Sequence, residues 1–235
     1  MNDTDIAVHL YMQNTAQMSV GGREVSVRQE TTYPWNGTIA LRLSMDKPVR
    51  FGLRLRIPGW CEEAQLRVNG EGFEIDRHLE HGYVRVERVW QSGDRVELEL
   101  EMSARRMYAH PDIRQDAGCV VLQRGPLVYC LEGTDNNVPL HRIVVPRTTE
   151  LASQFEADML GGVTVICGEA LVEDDSDWAG RLYRSWSPTL QSRTITAIPY
   201  YAWDNREAGE MRVWLRESNG GYCPTSGRSS RSLVS

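Results

Sequence analysis

The sequence predicts an all-β fold, two antiparallel β-sandwich or jelly-roll domains in tandem, on three observations. Apolar residues recur with a period of two rather than 3.6, turn signals interrupt them at short intervals, and the pattern resumes after an apolar-poor stretch near position 110. An alternating row buries one face of a strand and leaves the other to solvent, so many short rows need a second sheet to cover them.

Seven runs in the first hundred residues fit such strands: 7–11, 24–29, 38–45, 50–57, 65–68, 83–89 and 95–101. Between them stand Gly21-Gly22, Asn36-Gly37, the stretch 46–48, Pro58-Gly59, Asn69-Gly70 and Gly93-Asp94. Asn-Gly is the strongest hairpin signal among these, because a two-residue turn asks for positive φ at both central positions. The segment MYAHPDIRQDAG, 107–118, reads as a linker. Beyond it, CVVLQRGPLVYCLE reads as two apolar strands bent around Arg124-Gly125-Pro126, with the proline ending any ladder between them. Further strands are expected at 142–145, 163–167, 194–201 and 211–215, while 149–160 fits either a short helix or an irregular connection. The Ser- and Gly-rich end, GGYCPTSGRSSRSLVS, has no apolar period and is expected to fray. The expected division is a first β domain over 1–106, a second over 107–217 and a tail over 218–235.

Composition narrows the function. Acids outnumber bases 32 to 26, a net charge of −6, and the bases are scattered, so the surface should repel a phosphate backbone and nucleic acid is not an expected partner. No stretch approaches the ~20 apolar residues of a membrane span, and no membrane role is expected. The start, MNDTDIAVHLYM, carries acids where a signal peptide has a positive region. The five cysteines, at 61, 119, 130, 167 and 223, form no CxxC pair and no zinc spacing, and read as reduced, buried thiols. Both features point to a cytoplasmic setting.

Candidate chemistry is sparse. A nucleophilic cysteine needs a base, cation or metal to lower its pKa, and Cys61 in LRLRIPGWC is followed by Glu62 and Glu63, which would raise it. Cys119 and Cys130 flank the RGP turn and read as core thiols that can approach each other across a hairpin. His78 and His81 would share a face only on a helix, and the neighbouring Gly82-Tyr83 argues for a loop. The acidic run 173–177 begins like a calcium loop but lacks the later Gly and Glu, so a solvated loop is the plainer reading. Aromatics are the salient feature: seven Trp and nine Tyr against three Phe. Trp and Tyr join a flat apolar face to a polar tip and suit a surface that meets a sugar ring or another domain. Trp35 in YPWNG and Trp60 in PGWC sit at turns, and Trp90 closes a strand; these three are the candidate contact residues.

Several segments taken together carry a resemblance: TTYPWNGTIAL, LRLRIPGWC, LRVNGE, GYVRVERVWQSGDRVELELEM, RRMYAHPDIRQDAG, VLQRGPLVYCLEGTDN and IPYYAWDNREAGEMRVW. In this order they resemble the C-terminal half of glycoside hydrolase family 127, typified by bacterial β-L-arabinofuranosidases, from about residue 5 to about 215. The resemblance implies a helical (α/α)6 catalytic barrel followed by two β-sandwich domains. It implies catalysis in the barrel, by a cysteine nucleophile held with Cys and Glu ligands around zinc. IAVHLYM resembles the first strand after that barrel, and no residue matches the adjacent-cysteine motif, so neither a catalytic residue nor a metal ligand carries over to this chain. The expected partner is the catalytic barrel, and an apolar face left without it would favour self-association. Two readings follow: an accessory β part of such an enzyme, inactive alone, or a carbohydrate-binding module that stacks sugar on Trp35, Trp60 or Trp90. A complete enzyme using its own Asp, Glu or His is the reading least supported, for want of any motif.

Overall fold

The computed structural model describes residues 4–219. The chain divides into two compact units: one runs to Arg105 and takes in Gln123–Leu127, and the other holds Arg106–Leu122 and resumes at Val128. Among the described residues no helix is long and apolar enough to cross a membrane.

The first unit contains β1 (Asp5–Val8), β2 (Asn14–Val20), β3 (Arg23–Thr31), β4 (Thr38–Met45), β5 (Val49–Arg56), β6 (Ala64–Val68), β7 (Glu71–Phe73), β8 (Leu79–Glu80), β9 (Tyr83–Trp90) and β10 (Arg95–Leu100). They form two sheets, in the orders β1-β5-β9-β8 and β2-β3-β4-β10-β6-β7. The core follows from the alternation. Ile39, Leu41 and Leu43 of β4 with Val96, Leu98 and Leu100 of β10 face Phe51, Leu53 and Leu55 of β5 with Val84 and Val86 of β9, all buried in one cluster. Strand β2, NTAQMSV, escapes the sequence reading because it lies at a sheet edge and fully buries only Val20.

Strand β1 departs from the antiparallel expectation, since it lies parallel to β5 with Asp5 opposite Gly52. The Asp5 carboxylate accepts from Arg85 at 2.9 and 3.1 Å. Those hydrogen bonds hold its carboxyl below the usual range. Gly52 leaves room for the pair, because a Cβ there would come within 2.5 Å of Asp5 Oδ1.

The two Asn-Gly turns differ. Asn69 (φ 53°) and Gly70 (φ 83°) make the expected left-handed turn between β6 and β7. The Asn69 side chain donates to Asp94 Oδ1 at 2.9 Å and accepts from the Arg95 amide at 2.8 Å, so one turn fixes the next. Neither Asn36 nor Gly37 has positive φ, and the β3–β4 connection is a longer loop with a cis Tyr33–Pro34 bond. Close approach is what requires glycine at 37: the Leu100 amide donates to the Gly37 carbonyl at 3.0 Å, and a methyl group at 37 would lie 1.9 Å from the Leu100 carbonyl oxygen.

After β11 (Ala104–Met107), the second unit is built from β12 (Cys119–Arg124), β13 (Leu127–Glu132), β14 (Ile143–Pro146), β15 (Ala152–Glu156), β16 (Val163–Asp174), β17 (Thr189–Pro199), β18 (Met211–Arg212) and β19 (Leu215–Ser218). The all-β expectation holds, with closure added to it. Pairing runs β12-β19-β14-β16-β17-β13, and β13 pairs back onto β12, so the strands form a barrel that removes its own edges. Strands β14 and β19 are parallel, a second exception to the antiparallel expectation. Pro126 does not end the ladder, because it lies in the turn between the paired β12 and β13. The stretch 149–160 holds neither a helix nor only a loop: β15 pairs there with β16 from Ala152 to Glu156. Of the expected tail, residues from 220 onward lie outside the described residues, and Ser218 ends β19.

These geometries predict that Gly37→Ala destabilises the first unit by about 2–4 kcal/mol, through a clash with fixed backbone. Gly70→Ala, which meets nothing within 4 Å but keeps a left-handed φ, should cost only about 1–2 kcal/mol. Denaturant unfolding of the two variants measures the difference, and equal losses would contradict the close approach at Gly37.

Candidate functional site

The segment LRLRIPGWC runs off the end of β5 into a turn closed by the Cys61 amide on the Pro58 carbonyl, 3.0 Å. That turn sets Trp60 nearly parallel to Tyr33, with ring centroids 6.5 Å apart and planes at 23°. Tyr11 meets Tyr33 edge-on at 5.9 Å and donates its hydroxyl to the Arg56 carbonyl at 2.6 Å. Burial raises the pKa of both phenols. Arg105 donates to the Trp60 carbonyl at 3.0 Å and pairs with Glu62 at 2.7 Å. The result is a three-ring cluster at the turn end of the first unit. Sequence reasoning found Trp60 but missed Tyr11, Tyr33 and Arg105; the Tyr-Pro-Trp run at 33–35 was the available signal.

The three candidate tryptophans separate on burial. Trp35 is 54% exposed, with its amide donating to Thr32 and its carbonyl accepting from Arg124, each at 3.0 Å. Trp60 is half-buried against Tyr33. Trp90 is 0% exposed and must be withdrawn as a contact residue. Its indole N–H donates to the Phe51 carbonyl at 3.1 Å, which satisfies the one polar group of a core side chain.

Two thiols, Cys61 and Cys130, are shifted away from the thiolate. Cys61 donates to the Glu63 carbonyl at 3.1 Å, and burial raises its pKa against weaker lowering by hydrogen bonds and Arg105. The direction matches the sequence reading but the source differs: the carboxylate that adds to the rise is Glu101, not Glu62 or Glu63. Cys130 is buried and its thiol is pushed up to about 12, first by burial and then by Glu132 and Asp135. Cys61, Cys119, Cys130 and Cys167 are all unpaired, and Cys223 lies outside the described residues. Cys61 and Glu101 line a cleft of about 550 Å³ with Glu62, Glu63, Glu99 and Asp76. His78 ends a short 3-10 turn beside Phe73, and His81 takes φ 51° in the next turn, so the two do not share a helical face. In the acidic run, Asp174 accepts from Ser176 and Gln191 while Asp175 pairs with Arg142 at 2.7 Å. Among the described residues no three His, Cys, Asp or Glu side chains converge to hold a metal ion.

The fold and these side chains define tandem β modules, the first carrying an aromatic turn cluster. The chain belongs to glycoside hydrolase family 127. Residues 5–102 match the model of the β-L-arabinofuranosidase GH127 middle domain, and residues 104–216 match that of the family's C-terminal domain. It is 39% identical over 221 residues to the non-reducing end β-L-arabinofuranosidase of Bifidobacterium longum subsp. longum, covering 88% of this chain and 32% of that protein. A solved GH127 β-L-arabinofuranosidase from Geobacillus stearothermophilus T6 superposes with a TM-score of 0.90 at 45% identity, over 93% of this chain and 34% of that one. A second solved GH127 β-arabinofuranosidase gives 0.82 at 31% identity, over 93% and 36%. The chain thus spans about a third of the length of the relatives it matches. The matched part is the family's middle and C-terminal domains, over residues 5–102 and 104–216.

The Cys130 environment predicts a pH dependence. Its folded pKa lies above the ordinary 9.0, so the folded state keeps a proton that the unfolded state releases. Stability from this group is full below about 9 and declines as pH rises toward about 12. Denaturant unfolding of the second unit at increasing alkaline pH should show that decline, and Cys130→Ala should make it shallower. An identical slope in the variant would contradict the assignment.

Proposed function

We propose that this chain is the accessory β portion of a β-L-arabinofuranosidase-type glycoside hydrolase. In this reading it supports and contacts a catalytic barrel and carries out no hydrolysis alone. One observation carries it: residues 5–216 match the family's middle and C-terminal domains, while about two thirds of each relative has no counterpart in the chain. The chemistry agrees, since hydrolysis by a thiolate needs a lowered thiol pKa, and the two shifted thiols move upward. The turn-end rings of Tyr33, Trp35 and Trp60 are the part of the first unit best suited to an apolar neighbour, because they are stiff and presented at the ends of strands whose flanks are already packed.

The test is an assay of the purified chain, with zinc and a thiol reductant, on a chromogenic β-L-arabinofuranoside. Turnover should be indistinguishable from the uncatalysed rate. Appreciable turnover that a Cys→Ser substitution in this chain abolishes would overturn the proposal.

A further inference from the structure

The aromatic pair best arranged for a small ligand lies in the second unit. Strand β17 ends at Pro199 and passes into a 3-10 turn, Tyr200–Ala202, in which the Trp203 amide donates to the Tyr200 carbonyl at 3.2 Å. Three residues complete a 3-10 turn, so residues three apart eclipse each other on one side. The rings of Tyr200 and Trp203 accordingly lie together, with centroids 6.1 Å apart and planes at 18°. The intervening Ala202 points the other way, into a cluster with Cys130, Val163, Val165 and Ile198.

Every residue behind these rings is tied down. The Asn205 side chain donates through Nδ2 to the carbonyls of Ala202 and Trp203, both at 3.1 Å. The Asp204 amide donates to Glu132 Oε1 at 3.0 Å. Arg206 grips both Asp135 oxygens at 2.6 Å and also reaches Glu132 Oε2. Glu132 and the Asp135 side chain are buried, so two carboxylates have been taken out of water around a partly exposed Arg206. Buried ion clusters of this kind return little net stability, because desolvation offsets their attraction, but they fix geometry. What this one fixes is a pair of rings left open to solvent, Tyr200 at 46% and Trp203 at 38%.

We infer that the Tyr200–Trp203 pair is a preformed platform for a neutral saccharide, which stacks a C–H face of a sugar ring on it. Two near-parallel rings on rigid side chains bind with little ordering cost and offer the electron-rich faces that polarised sugar C–H groups seek. The residues that follow the rings in the chain include exposed Asp204 and Glu207. A protein partner is the poorer fit, since a stable interface needs about 800 Å² per side with an apolar centre. Here the following segment, Asp204 to Glu210, is polar and exposed apart from the pinned Arg206. The platform is not among the three tryptophans singled out by the sequence, and it does not depend on whether the chain supports a barrel.

The experiment is a titration of the chain with an L-arabinofuranosyl oligosaccharide and, separately, with a glucan oligosaccharide, read by tryptophan fluorescence and by heat. At least one should bind with a millimolar or tighter Kd. Trp203→Ala and Tyr200→Ala should each weaken that binding about tenfold, while Val89→Ala, at an exposed strand position of the first unit, leaves it unchanged. Trp203→Phe, which keeps the turn filled with a smaller face, should weaken it only a few-fold and guards against a misfolded alanine variant. Absence of binding by both sugars at tens of millimolar, or binding unaffected by all three substitutions at positions 200 and 203, would overturn the inference.

Discussion

Burial of period-two apolar rows is the constraint on which the rest of this molecule depends. Each strand gives one face to a core, as β4 does with Ile39, Leu41 and Leu43, and what remains of its outer face is taken up by ion pairs such as Arg50 with Glu87 and Arg95 with Glu97. A sandwich or barrel built in this way has little side surface to spare. The strand ends, where the chain turns and the alternation stops, carry the exposed Trp35 and the Tyr200–Trp203 pair.

Turns are ordinarily the least constrained part of a β protein. Here they are held by side chains and by close backbone approach. Gly37 lets the backbone touch Leu100, Asn69 and Asp94 knit two turns together, and the Glu132, Asp135 and Arg206 cluster holds the loop that carries Tyr200 and Trp203. The Tyr200–Trp203 pair sits on one such turn, with the polar atoms of Glu132, Asn205 and Arg206 behind it. Pinning aromatics with buried polar groups supplies fixed shape, while burial raises the pKa of the Cys61 and Cys130 thiols rather than lowering it.

Most strands were legible because alternation is a local property. The expected runs at 24–29, 38–45, 50–57, 65–68, 83–89 and 95–101 all fall on observed strands. What escaped the sequence was set by partners distant in the chain. Strand β2 is a strand because β3 pairs with it, despite polar composition, and β1 runs parallel to β5 because Gly52 and Arg85 accept Asp5. Closure of the second unit depends on β13 returning to β12, which no local pattern announces. Exposure was only partly legible. Of the three tryptophans picked out by position, Trp35 is exposed and Trp60 half-buried, but Trp90 ends a strand and points inward, and position alone does not give the facing. The motif IPYYAWDNREAG was visible as aromatic, whereas the salt cluster that makes it rigid joins residues some 70 positions apart.

Amide hydrogen exchange tests the central claim that these turns are pinned. The amides of Trp203 and Asp204, bonded to the Tyr200 carbonyl and to Glu132, should exchange as slowly as the ends of β13 and β17, on the order of a hundredfold below unstructured chain. Arg206→Met should release them while the paired residues of β16 and β17 stay protected. Unprotected exchange at both amides in the unaltered chain would contradict the account.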